Sequence, residues 1–133
     1  MKKQTNFEIE IDTDIDLSTT IREFINTLVE TDQYHMYEIT NEQFQKDKDA
    51  QEALREYQMK AKDLQTKQMF SLINEAEQKD LERLWIAFTG FNSVQEFFKA
   101  QEEFQSLCRE CAQVISDQCG LDYATSCGAS CCG

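Results

Sequence analysis

The stretch Lys46–Gln68, KDKDAQEALREYQMKAKDLQTKQ, decides the fold. Its apolar side chains, Ala50, Ala53, Leu54, Tyr57, Ala61 and Leu64, recur about every 3.5 residues, and most residues between them are charged or carry amides. That period gathers them into one narrow helical stripe, suited to packing on a second, antiparallel helix. About 19 residues of such a helix run roughly 28 Å. Asp49 with Glu52 reads as a capping box at its start, each side chain satisfying a backbone N–H near the other.

The flanks repeat this reading. Upstream, Thr20 with Glu23 reads as a second box, followed at helical spacing by Ile21, Phe24, Ile25 and Leu28. The pattern loosens at Thr31–Gln33, where a kink or short break is expected, and resumes through Tyr34, Tyr37 and Phe44. Downstream, a turn near Ser71–Asn74 precedes a helix bearing Leu81, Leu84, Trp85 and Phe88. Gly90 stands where a left-handed helix cap is wanted. Ser93 with Glu96 then opens a last helix carrying Val94, Phe97, Phe98, Phe104, Leu107, Val114 and Ile115. The chain contains no proline, so none of these helices meets the strongest breaker. The expectation is an all-α fold of long antiparallel helices forming a hairpin or bundle. Long helices with narrow stripes bury little in so short a chain unless they pair, so self-association as a homodimer or higher homo-oligomer is expected.

Two segments stand apart. FEIEIDTDIDL (Phe7–Leu17) alternates apolar and polar residues with the period of a strand, and nothing obvious pairs with it. Residues 1–17 are therefore read as an extended acidic arm, residues 18–119 as the helical domain, and residues 120–133 as a flexible Cys/Gly-rich tail. Gly120, Gly128 and Gly133 mark the last change in composition.

The net charge of −12 repels phosphate backbones and anionic lipid, so direct nucleic-acid and membrane partners are disfavoured and a basic protein surface is favoured. No stretch approaches the ~18 apolar residues of a membrane span. The opening MKKQTNFEIEIDTD has no apolar run and does not read as a secretory signal. A cytoplasmic location is expected. Cysteines there are usually reduced, so six of them suggest metal, redox chemistry or packing before structural disulfides.

Cys108 and Cys111 form a CxxC that continues the apolar stripe of Phe104 and Leu107, and they read as buried small hydrophobes. Cys127, Cys131 and Cys132 lie among Gly, Ala and Ser with no apolar face to join. With Cys119 they make a set of soft thiolates suited to an iron–sulfur cluster or, alternatively, Zn²⁺; an inert tail would bind neither. Their spacing follows no standard zinc or ferredoxin pattern. The lone His35 reads as structural, and no Ser–His–Asp order, phosphate loop or HExxH occurs, so a non-enzymatic role is expected. Two other readings stay open: a thiol-redox or metal-handling protein using Cys108/Cys111 or Cys131/Cys132, and a purely structural helical oligomer.

Two segments, DQYHMYEITNEQFQKDKDAQEALREYQMKAKDLQTKQ and FNSVQEFFKAQEEFQSLCRECAQVIS, carry a resemblance. They resemble the YlbF/YmcA family of small bacterial regulators over roughly residues 20–117. The resemblance implies an all-α, self-associated domain that acts by contacts with other regulatory proteins, in competence, sporulation, biofilm formation and RNA processing. It also implies that C-terminal cysteines, here Cys127, Cys131 and Cys132, help hold an iron–sulfur cluster in a larger complex. The acidic N-terminal arm departs from the family pattern, as does the Cys108–Cys111 pair.

Overall fold

The computed structural model describes residues 2–122, and side chains from residue 16 onward. Five helices follow in order: α1 (Lys2–Val29), α2 (Asp32–Lys46), α3 (Lys48–Met69), α4 (Glu75–Thr89) and α5 (Asn92–Cys119). No strand occurs among the described residues. The fold is all-α.

α2 packs chiefly on α5, and α3 on α4. The body is therefore one helical hairpin whose two legs are each broken once. The first leg, α2 then α3, breaks at the single residue Asp47. The second, α4 then α5, breaks at Gly90 and Phe91. Phe70–Asn74 forms the tip between the legs. There Ser71 takes a left-handed backbone, and the Leu72 and Ser71 N–H groups donate to the Lys67 and Gln68 carbonyls, closing α3 in a Schellman pattern.

The two breaks face each other, and the core lies between them. Phe44 and Ala50 flank Asp47, Phe88 and Val94 flank Phe91, and all four are buried together. Each broken leg also closes itself in the same way. Gln51 Nε2 donates to the Phe44 carbonyl at 3.0 Å, and Gln95 Nε2 donates to the Thr89 carbonyl at 3.1 Å. A glutamine one turn into the new helix thus donates to a carbonyl in the last turn of the old one. Rings extend the core along the interface: Phe44 stacks on Phe97 at 5.4 Å, and Phe104 meets Tyr34 and Tyr37 at 5.4 and 5.7 Å.

Several local expectations change. Residues 2–17 are not an extended arm; they belong to helix α1. An isolated strand leaves its backbone groups unpaired, whereas a helix satisfies them internally, and that outweighs the alternation of Phe7, Ile9 and Ile11. Thr20 is helical and caps nothing: its hydroxyl donates to the Asp16 carbonyl one turn back. The cap of α3 is Asp47, not Asp49, with Oδ1 accepting from the Ala50 N–H at 3.1 Å. Gly90 has a right-handed φ of −75°, and the left-handed cap is Gly120 at φ 68°. Ser93 does not cap α5. Its hydroxyl donates across the legs to Asp47 Oδ2 at 2.6 Å.

Asp47 therefore serves two elements at once, capping α3 and tying it to α5. The Ser93 hydroxyl and the Ala50 N–H hold its carboxyl below the usual carboxylate range. Lys67 does the same for Glu77 across the α3–α4 pair, and Arg83 for Asp80. A depressed carboxyl contributes stability above its unfolded pKa, near about 4, and loses it as pH falls through the folded value. Unfolding midpoints in urea should hold level near neutrality and fall with acidification below about pH 4. Asp47→Asn should make that acid-side fall shallower, and Ser93→Ala should lower the neutral-pH midpoint by about 1 kcal/mol of stability.

Candidate functional site

α5 runs for 28 residues, but α2 has only 15 with which to cover it. The overlap ends near Gln33, which lines a shallow depression with Glu103, Ser106, Leu107 and Glu110. Beyond that point α5 projects with Val114 and Ile115 exposed, and it closes at Gly120, whose N–H donates to the Ser116 carbonyl at 2.9 Å.

The cysteines lie on this projecting half. Cys108 and Cys111 sit one turn apart and are half-buried, not buried as their place on the apolar stripe suggested. The physical reason is the length mismatch: the stripe continues after the helix that would cover it has ended. Cys119 is exposed at the last position of α5. The helix rise puts it about 12 Å along the axis from Cys111, so the structure separates Cys119 from the CxxC pair. No three His, Cys, Asp or Glu side chains come together as a metal-holding group among the described residues. Cys127, Cys131 and Cys132 lie outside the described residues. Of the four thiolates expected to hold a cluster or Zn²⁺, the described chain thus presents one, Cys119, in the open.

His35 is exposed on α2 with its ring 6.5 Å from that of Tyr34. Trp85, half-exposed, lies against Tyr57 at 5.1 Å and Phe88 at 5.7 Å, as part of the helix interface. No described helix is long and apolar enough to cross a membrane.

Sequence reasoning missed two features. One is the Asp47–Ser93 junction, whose partners lie 46 residues apart and announce nothing to each other in sequence. The other is the degree to which α1 stands free. Its main contact is with α2, and Leu17, Ile21, Phe24 and Ile25 are all exposed. Their helical spacing was legible, but that this face stays exposed among the described residues was not.

A family model described as control of competence regulator ComK, YlbF/YmcA, matches residues 17–119. The chain belongs to the YlbF/YmcA family. No curated protein and no solved structure matches it. The family match takes in the exposed face of α1, both broken legs and α5 to its last residue. It stops at Cys119, so Cys127, Cys131 and Cys132 lie beyond the part that carries YlbF/YmcA membership. That family is one of regulators, as its description states.

Proposed function

We propose that this chain is a non-enzymatic regulatory adaptor of the cytoplasm. It works through protein–protein contacts, self-associates, and carries a soft-metal or iron–sulfur site on its C-terminal cysteines. The observation that carries the reading is the apolar face left uncovered on α1 and the end of α5, in a chain of regulatory family. A large uncovered apolar face on a small acidic domain is a surface for another protein. Competence, sporulation, biofilm formation and RNA processing are the processes in which such contacts would act.

Cys119 supports the metal reading in its chemistry: a thiol exposed at a helix end beside a left-handed glycine, open to a metal on one side. Cys127, Cys131 and Cys132 would supply the remaining thiolates. An iron–sulfur cluster, or Zn²⁺ in its place, would tie Cys127, Cys131 and Cys132 to the end of α5 and so change what the adaptor can touch.

Purification without oxygen, followed by iron, sulfide and zinc analysis, tests this part. Bound metal close to stoichiometric with the site, lost in Cys127→Ser and reduced in Cys119→Ser, is the expected result. Metal-free protein, indifferent to both substitutions, would remove the metal site and leave an adaptor acting by contacts alone.

A further inference from the structure

The sequence around one break reads again around the other. Residues 44–55, FQKDKDAQEALR, and residues 88–99, FTGFNSVQEFFK, lie 44 positions apart. Both run Phe, five residues, Ala or Val, then Gln-Glu, and after one more residue Leu or Phe followed by Arg or Lys. The structure repeats at the same offset. α2 and α4 have 15 residues each, and the break at Asp47 answers the break at Phe91. Phe44 and Phe88 are buried, as are Ala50 and Val94, while Glu52 and Glu96 are exposed. The equivalent Gln51 and Gln95 both donate back across their own break.

The pairing of the helices obeys the same exchange. Taking α2 into α4 and α3 into α5 turns the α2–α5 contact into the α4–α3 contact, and these are the two chief contacts of the body. Phe44 meets its own equivalent, Phe88, with rings 6.0 Å apart, and both share one cluster with Ala50 and Val94. Residues meet their equivalents in this way beside a two-fold axis.

We infer that the body is an internal duplication: one helix–break–helix unit, residues 32–69 and again 76–113, paired with itself about a pseudo-two-fold axis through the crossing. Capping and helix propensity accept many sequences at a break. Glu52 and Glu96, and Arg55 and Lys99, are exposed, so packing does not demand their recurrence at a fixed offset. The repeated unit is the scaffold. The features that carry the adaptor reading lie outside both copies: α1 before residue 32, and Val114, Ile115 and Cys119 after residue 113. Within the second copy, Cys108 stands where the first has buried Leu64, a packing position. One feature departs from the repeat. The equivalents of Asp47 and Ser93 are Phe91 and Asp49, so the bond from Ser93 to Asp47 is made in one sense only.

The test uses the full chain and urea unfolding. Residues 45–50 (QKDKDA) and 89–94 (TGFNSV) are exchanged, each transplant alone and both together. TGFNSV in the first leg removes Asp47, and QKDKDA in the second removes Ser93, so each single transplant should lower the folding constant about tenfold or more. The reciprocal exchange returns a carboxylate and a hydroxyl to the crossing with the legs interchanged. It should recover to within about threefold of the natural chain, with helicity unchanged. Losses that simply multiply, or a reciprocal chain that does not fold, would overturn the equivalence. A smaller version tests the axis alone. Ala50→Val overfills the cluster, Val94→Ala hollows it, and the two together should recover most of either loss. No recovery in that pair would overturn the axis.

Discussion

Phe88→Ala is expected to cost about 3–5 kcal/mol, most of the stability of a domain with so small a core. Only six apolar side chains among the described residues are buried, and Phe88, 2% exposed, is one of the two phenylalanines among them. It sits where the two broken legs cross. Its ring touches Phe44 at 6.0 Å, Trp85 at 5.7 Å and Phe98 at 6.1 Å, so it joins α4 to the ends of both α2 and α5. Truncation removes the transfer energy of the ring and leaves a cavity among rigid rings and helix backbone that close in poorly. Phe98, 38% exposed on the neighbouring face, makes the control. Its truncation should cost about 1 kcal/mol, chiefly the lost aromatic contact. Urea unfolding of both variants checks the pair. A loss below about 1 kcal/mol for Phe88→Ala would mean that the crossing is not the core.

The hairpin was legible because helical period survives packing. The stripe from Ala50 to Leu64, the interruption at Thr31 and the turn at Ser71–Asn74 all depend on spacing within one helix or on local turn chemistry. The caps were less legible. A capping residue is the one whose backbone leaves the helix, and tertiary contacts choose it: Asp47 is preferred to Asp49 because it can also receive Ser93 from the other leg. Gly90 and Gly120 look alike in sequence, yet only Gly120 ends a helix with free space around it and takes the left-handed backbone. Residues 2–17 show the same limit from the other side. Alternation promises a strand only if a partner strand exists, and sequence does not supply one. At the site, the chemistry of each cysteine was readable and its surroundings were not. Whether Cys108 and Cys111 are covered depends on where α2 ends relative to α5, a length difference between elements far apart in the chain.

Self-association is the second large effect. The body has its core at the crossing of the legs, while Leu17, Ile21, Phe24 and Ile25 of α1 and Val114 and Ile115 near the end of α5 are exposed. Pairing would remove several side chains of Leu, Ile and Phe size from solvent, each contributing about 1.5–3 kcal/mol at full burial. Opposing this, two copies each carry a net charge of −12. Their repulsion is long-ranged and screened by salt, whereas the apolar contact is not. Association should therefore tighten as ionic strength rises, the reverse of a dimer held by ion pairs.

The most direct measurement is the mass of the full chain in solution, by sedimentation equilibrium at low and at moderate salt. Twice the 15.5 kDa of one chain or more, with dissociation on dilution that weakens as salt is added, is the expected result. A single species of 15.5 kDa at every concentration and salt would contradict the account, since α1 and the end of α5 would then have nothing to cover them.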